Sequence, residues 1–486
     1  MNQRQSDPAR RVVVVGGGIS GLAAAYRLIE SGQHLPFPLE VHLFEASNRL
    51  GGVIETVDYD GILMEGGPDS FISEKPWAVD LCRRLDLESS LISSGKAHRR
   101  SFIVRRGKLV PVPEGFYLLA PTQLWPFATS PIFSWLGKLR IAADLILPRK
   151  SHGTSTRGDE SLANFVRRRF GREALERMAQ PMVGGIYTSD PERLSLRATM
   201  PRFLDMEQRY RSVIMGILRQ RQKSISAKER LQGPRYSLFL SFDRGMETLV
   251  KRLQSRLPAQ SIHLETAVES LDRNPEGGRW VVNFGNRIPL EADAICLGLA
   301  SYQSARLLQR FDASLSEKLK RVSYASTATV NLVYPIAAIP HPLDGFGFVV
   351  PAIERRRILA CTFCHVKFEG RAPRDRALLR AFVGGALQPD AFDVDDQEMI
   401  RAVCNDLREL LGIVSEPLLS RVQRHPQAMA QYSVGHLDWV AEIENRLKQF
   451  PTLQLAGNAF TGVGIPDCVH RGEECADRIL AELQKK

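Results

Sequence analysis

Arg11 is followed by four consecutive β-branched residues, Val12 to Val15, and the run stops at Gly16. A run this short, apolar on both faces and closed by glycine, predicts a strand buried in a parallel sheet. Leu22, Ala25, Tyr26 and Ile29 then recur at helical spacing, which predicts a helix from about Ser20 to Glu30. Leu39 to Glu45 alternates as a second strand and completes a βαβ unit. Further strands are predicted at Ser101 to Val104, Ile262 to Leu264, Arg279 to Phe284 and Ala294 to Leu297, and a separate sheet at Ala328 to Tyr334 and Gly347 to Val350. Helices are predicted at Leu162 to Gln180, Met246 to Leu257, Gln397 to Leu411 and Glu473 to Gln484. Thr266-Ala267-Val268 and Leu453 to Gly457 read as strands returning to the first sheet. The chain is therefore expected to be α/β plus α+β, with its first domain assembled from three distant pieces.

Composition narrows the class. The 486 residues are 44% hydrophobic and 24% charged, as in a globular chain with room for a buried site. A net charge of +11 suggests an acidic partner: nucleic acid, an anionic membrane or a polycarboxylate. The densest basic run, Arg219 to Arg235, lacks aromatic side chains for base stacking and reads as a solvated loop, so no nucleic-acid partner is expected. Seven cysteines are few and odd in number, which argues for a reducing, cytoplasmic setting. Cys361-Thr362-Phe363-Cys364-His365 resembles half a metal site, but nothing completes four ligands, and structural thiols with no metal are expected. Met1 to Arg11 is short and polar and is not a signal peptide; Ser151 to Glu160 reads as a surface connector. Phe116 to Leu147 is broken by Pro121, Pro126 and Pro131, so it does not span a bilayer, although its amphipathic part fits peripheral membrane contact.

Chemistry enters at Gly16-Gly17-Gly18-Ile19-Ser20-Gly21, a G-x-G-x-x-G placed after a strand and at the opening of a helix. The glycines allow a tight turn and close approach of a pyrophosphate, and the helix N-terminus supplies free N–H groups. Glu45 closes the second strand, where a carboxylate would accept hydrogen bonds from an adenosine ribose. FAD and NAD both satisfy this pattern. Arg49-Leu50-Gly51-Gly52 follows at once, with glycines that let backbone lie against a ligand and an arginine able to face a phosphate.

With Glu45 to Asn48 in front of it, that run resembles the extended FAD signature of the flavin amine oxidase and desaturase superfamily. Glu65-Gly66-Gly67-Pro68-Asp69-Ser70-Phe71 and the block from Gly457 to Cys468 resemble the flavin-contacting segments of the bacterial protoporphyrinogen and coproporphyrinogen III oxidases. Pro181 to Tyr187, Leu194 to Leu196, Gly345 to Gly347, Gly370 to Pro373 and Gln431 to His436 follow the order of that family, so the likeness runs from about Arg11 to Leu480. The resemblance implies noncovalent FAD and oxygen as acceptor. It places Gly16 to Gly21, Glu45, Val53, Gly67, Pro68, Asp69, Ser70, Val268, Asn458, Val463, Gly464 and Ile465 on the flavin, with Arg49 beside its phosphates. The implied architecture is a discontinuous Rossmann-like FAD-binding domain (10–85, 236–300 and 448–486), a helical, membrane-contacting subdomain (112–206) and a mixed-sheet substrate domain (86–111, 207–235 and 301–447).

The implied reaction is six-electron oxidation of a porphyrinogen of haem synthesis. Each meso methylene lies between two electron-rich pyrroles, so hydride leaves readily, and orientation against an apolar wall carries most of the catalysis. No catalytic acid or base is assigned; His365, His436 and His470 read as structural. Lys75 and Arg100 match positions where family members anchor a substrate carboxylate, or else are surface charges. Gly185 belongs to the substrate wall, with Phe346, Phe348 and Phe363 as stacking faces or plain core. Coproporphyrinogen III, favoured by Lys75 and the net charge, and protoporphyrinogen IX both remain open. So do an amine oxidase or carotenoid-type desaturase, and a flavin-binding membrane-surface protein without turnover. Oligomeric state is not legible.

Overall fold

The computed structural model describes residues 8–95, 100–113, 116–117, 120–121, 123–150, 158–228, 238–274, 278–285 and 287–485. A five-stranded parallel sheet has the spatial order Ile262–His263, Leu39–Phe44, Arg10–Val15, Ala294–Gly298, Leu453–Ala456. The first strand is central, and its valines divide between two cores. Val12 and Val14 face the core of the first helix, Ile19–Gly32, and the C-terminal helix, Ile465–Leu483. Val13 and Val15 face a core that contains Trp280, from a three-stranded antiparallel sheet. Burial on both sides explains the unbroken valine run.

The return at 266–268 is not a strand. Pairing with the second strand ends at His263, and the chain continues as a loop tied by Thr266 N–H to the Glu45 carbonyl at 2.9 Å. The C-terminal helix starts at Ile465, well before the predicted Glu473, because Pro466 occupies a first-turn position where its missing N–H costs nothing.

A second, seven-stranded sheet has the order Leu419–Ala430, Tyr324–Pro335, Arg376–Gly384, Ile358–Phe363, Gly347–Val349, Phe102–Arg105, Lys108–Pro111. It is antiparallel except between Gly347–Val349 and Phe102–Arg105. Helix Asp396–Leu411 packs on one face, its N-terminus capped by Asp395 accepting from Glu398 N–H at 2.8 Å. The other face carries the hairpin Thr56–Tyr59 and Ile62–Glu65 with the loop that follows it, and helix Gln180–Tyr187.

The helical block departs most from the sequence expectation. Instead of one helix from Leu162 to Gln180, Leu162–Arg169 stops at Gly171 (φ +90°), and a π-helical turn, Leu175–Ala179, leads into Gln180–Tyr187. Arg169 and Asp144 form a buried ion pair around which the block is tied, Arg169 Nε to Asp144 Oδ1 being 2.6 Å. Asp144 also accepts from Ser212 Oγ at 2.6 Å and Ile214 N–H at 3.0 Å. Residue 206 therefore falls inside a helix, Pro201–Tyr210, and the block continues into Val213–Lys228. That last helix replaces the loop expected for the start of the basic run at Arg219; residues 229–235 of the run lie outside the described residues, as do 1–7 and 151–157 of the polar N-terminus and connector.

Candidate active site

The first glycine turn folds on itself so tightly that a Cβ at Gly21 would sit 1.9 Å from the Gly16 carbonyl oxygen. Gly16 itself has φ +101°, open to glycine at little cost. Gly17 N–H donates to Glu45 Oε2 at 2.7 Å, while Ser47 N–H and Oγ donate to Oε1 at 2.9 and 2.8 Å. The carboxylate is thus fixed at the strand end with acceptor capacity remaining. Gly51 N–H donates to the Gly17 carbonyl at 2.8 Å, laying the second glycine turn along the first.

Arg49 does not stand open to a phosphate. Its guanidinium donates to the carbonyls of Leu50 at 3.1 Å, Ile54 at 3.0 Å and Gly52 at 2.6 Å. The turn at Gly51 and Gly52, both with positive φ, directs these carbonyls at one donor, and Arg49 is that donor.

Several features fit a dinucleotide. A Cβ at Gly18 would meet nothing within 4 Å, so the turn opens onto space. No side chain caps the first helix, and its first turn holds Ile19, Ser20 and Gly21 without an acid. The C-terminal helix is likewise uncapped at Gly464, and the two helices run together: a Cβ at Gly472 would lie 2.3 Å from the Ser20 carbonyl oxygen. Two positive helix ends near one another suit phosphate and an electron-accepting ring. Val53 is 45% exposed, unusual for a valine, and its carbonyl lies against Gly67, where a Cβ would come within 1.9 Å. Val268 and Val463 are half-buried and pack against the core under the sheet. Asn458 donates through Nδ2 to the Ala428 carbonyl at 2.8 Å and accepts at its own carbonyl from Tyr432 Oη at 2.7 Å.

The loop Glu65 to Ser70 is held by polar side chains of the seven-stranded sheet and of the short helix Cys364–Lys367, none of them singled out from the sequence. Asn331 Nδ2 donates to the Glu65 carbonyl at 3.1 Å, Thr329 Oγ1 to the Gly66 carbonyl at 2.7 Å and Arg380 to the Gly67 carbonyl at 2.8 Å. His425 Nε2 lies 2.9 Å from the Gly66 carbonyl. Lys367 Nζ lies 2.9 Å from both oxygens of Asp69, and Arg380 is 3.2 Å from Oδ2. Burial alone would raise the Asp69 pKa, but Lys367 and Arg380 outweigh it and hold the carboxyl well below the usual range. Asp69 thus turns its side chain to the sheet, while Ser70 Oγ donates to it at 2.7 Å. A signal for this clamp is visible in hindsight: Asn331 sits between Val330 and Leu332, and Arg380 between Leu379 and Ala381, each a polar side chain inside a buried apolar run.

The substrate candidates separate. Gly185 lies beside Val349, 3.8 Å from its Cγ1 for an added Cβ, so helix Gln180–Tyr187 and the strand Gly347–Val349 form one wall. Phe346, one residue before that strand, is half-buried. Phe348 and Phe363, at 2% and 0% exposure, point to the opposite face and pack with Phe102 and the core under helix Asp396–Leu411; strand alternation puts them there, and they are core rather than stacking walls. Arg100 ion-pairs with Asp344 and donates to the Asp344 carbonyl at 2.8 Å. Lys75 donates to Asp467 Oδ1 at 2.5 Å. Each cation already holds a carboxylate, while the side chains stay 40% (Lys75) and 48% (Arg100) exposed.

Cys361 and Cys364 are buried, and burial pushes Cys364 up to about 11. No three metal-ligating side chains cluster among the described residues. His436 stacks on Tyr432 with ring centroids 3.8 Å apart, and burial pushes it down to about 4. His365 is likewise lowered by burial, and His470 stacks on Trp77 at 4.0 Å. A cavity of about 390 Å³, lined among others by Ser189, Arg193, Tyr324, Gln431 and Tyr432, opens between the helical block and the sheet; neither glycine turn lines it.

The parallel sheet, the glycine turns and the paired helix ends define a dinucleotide-binding protein. Residues 19–480 match the family of flavin containing amine oxidoreductases, and the chain belongs to that family, with FAD as its cofactor. Within it, the chain is 34% identical to a coproporphyrinogen III oxidase of Bacillus subtilis (strain 168), over 98% of this chain and 99% of the relative. A chloroplastic protoporphyrinogen oxidase of Nicotiana tabacum is 29% identical over 97% of this chain and 86% of the relative. A crystal structure from Exiguobacterium sp. 255-15, provisionally named protoporphyrinogen oxidase, superposes with a TM-score of 0.84 at 32% identity, covering 97% and 99% of the two chains.

Proposed function

We propose that the chain is an FAD-dependent porphyrinogen oxidase of haem biosynthesis, taking coproporphyrinogen III, or protoporphyrinogen IX, to the porphyrin while oxygen is reduced to hydrogen peroxide. The observation that carries this reading is likeness to coproporphyrinogen III oxidase from one end of the chain to the other. When bound, FAD would supply the two-electron acceptor; across three rounds three hydrides leave meso carbons and three protons are lost, net two from pyrrole nitrogens and one from the fourth meso carbon. The chain binds and orients. Gly16 to Gly21 and Glu45 hold the adenosine diphosphate, Val53, Gly67 to Ser70 and Val463 to Ile465 face the isoalloxazine, and Val268 and Asn458 pack at its edges. Gly185, Val349 and Phe346 shape the wall that keeps water from the reacting carbon. No side-chain base is required.

In this reading the sheet of the first strand is the FAD-binding domain, the seven-stranded sheet binds substrate, and the helical block, extended through residue 228, covers the cleft. Coproporphyrinogen III is the favoured substrate, because identity is 34% to the enzyme named for it and 29% to the tobacco protoporphyrinogen oxidase. Lys75 no longer supports that preference, since its ammonium is engaged by Asp467. Turnover of both purified substrates in air, followed by red porphyrin emission, tests the assignment. Higher kcat/KM with coproporphyrinogen III is expected, and emission with neither substrate overturns the reading.

The chain acts in the cytoplasm and touches the membrane from its surface. No helix among the described residues is long and apolar enough to cross a bilayer. Trp135, Leu136, Leu139 and Ile146 are 74, 79, 67 and 76% exposed along one side of the helical block. Two residues past Ile146 the chain enters the lining of a basic cavity formed by Pro148, Arg149, Arg209, Arg211 and Arg219. Aromatic and aliphatic side chains beside arginines suit an anionic interface. Co-sedimentation with vesicles containing phosphatidylglycerol but not with phosphatidylcholine alone is the expected result; equal recovery with both contradicts it.

A further inference from the structure

Lys75 and Asp467 are 392 positions apart and meet at the entrance of the C-terminal helix, with Nζ to Oδ1 at 2.5 Å. Asp467 is 6% exposed and lies in the first turn of that helix. Its carboxylate fills the space inside the Gly462 to Gly464 loop: an added Cβ at Gly462 would fall 2.3 Å from its Cγ, and one at Gly464 would fall 3.3 Å from Oδ2. A carboxylate in the first turn of an uncapped helix is ordinarily satisfied by the helix dipole and N–H groups. Here it also takes a lysine, and that lysine is anchored from its own side. The short helix Trp77–Arg84 follows it, Trp77 stacks on His470 at 4.0 Å and 4°, and Arg84 ion-pairs with Glu30 and Glu473. Tyr187, at the end of the proposed substrate wall, feels the same carboxylate, which adds to burial in pushing its hydroxyl up to about 12.

On the reading of the site given above, on which this inference rests, Val463 to Ile465 face the isoalloxazine. Electrons taken up by the ring gather negative charge there. A bare buried carboxylate behind that segment would oppose that charge, whereas a carboxylate neutralised by an ammonium leaves the helix end as the dominant field. We infer that Lys75 is a positioning and charge-balancing residue that acts on the flavin through Asp467, setting its reduction potential, and is not a substrate-carboxylate anchor. The same geometry makes the two roles compete, because an ammonium bonded to Asp467 at this distance presents little of its charge to a propionate.

The test is the midpoint potential of FAD bound to wild type, Lys75→Met, Lys75→Arg, Asp467→Asn and the double variant, together with steady-state kinetics. Lys75→Met is expected to make the potential more negative and to lower kcat at least about threefold with KM little changed. Lys75→Arg keeps the charge and should stay near wild type. Asp467→Asn removes the negative charge with almost no change of shape, so its potential should become more positive, and the double variant should return toward wild type. Potentials unchanged in Lys75→Met and Asp467→Asn, with KM raised in Lys75→Met, would overturn the inference and assign Lys75 to the substrate. Should Lys75→Met fail to fold, Asp467→Asn alone decides, since an unshifted potential there is equally fatal. A wild-type chain that binds no FAD would instead remove the underlying functional reading.

Discussion

The two loops proposed to contact FAD, one at its adenosine diphosphate and one at its isoalloxazine, are held in opposite ways. The turn from Gly16 to Gly21 is fixed by backbone against backbone, with a single carboxylate, Glu45, tying it to the next strand. The loop from Glu65 to Ser70 is fixed by side chains reaching across from elsewhere: Thr329, Asn331, Arg380 and His425 on the seven-stranded sheet, and Lys367 on the short helix Cys364–Lys367. A backbone cradle fails when atoms are added, and a side-chain clamp fails when charge or hydrogen bonds are removed. The second depends on a buried cluster of ionised groups, Asp69 with Lys367 and Arg380, and should weaken in acid.

Substitutions can separate the two regimes. The largest effect is expected from Gly21→Ala, whose methyl would overlap the Gly16 carbonyl; relieving that contact by moving the turn should cost about 3 kcal/mol or more and abolish flavin retention, read by absorbance of the purified protein. Asp69→Asn leaves Lys367 and Arg380 buried without their anion and should cost about 3 to 4 kcal/mol in urea unfolding. The same pair predicts an acid limit. Because the native carboxyl is held below its unfolded value, its stabilisation is present above about pH 4 and is lost as pH falls further.

A separate acid effect belongs to His436, lowered to about 4 by burial. The unfolded chain binds that proton first, so stability should be full above about pH 6.5 and fall by up to about 3 kcal/mol as pH drops toward 4. His436→Phe, which keeps a ring against Tyr432, should flatten this part of the profile in thermal unfolding. Thr329→Val should show the smallest change, about 1 kcal/mol, because His425 still meets the same Gly66 carbonyl.

The contrast also explains what could be read from the chain alone. The βαβ unit, its glycine turn and Glu45 are local: strand, turn and helix lie within a few dozen residues, and each residue type answers a backbone requirement at its own position. The likeness of ordered motifs carried the reading to the family as well. The roles of Lys75, Arg100 and Asp69 were not legible, because their partners, respectively Asp467, Asp344 and Lys367, lie hundreds of positions away along the chain. Phe348 and Phe363 stayed open between stacking face and core for a different reason: composition marks an aromatic, but only sheet alternation and the placement of helix Asp396–Leu411 decide which face it takes. The break at Gly171 was hidden by good helix formers on both sides of it.

The most direct measurement is to purify the chain, record its visible spectrum and mix it with coproporphyrinogen III in air. A yellow protein with bound FAD, red porphyrin emission and peroxide formed alongside is the expected result. A colourless chain that cannot be reconstituted with FAD, or a flavin that stays oxidised under anaerobic porphyrinogen, would contradict the account.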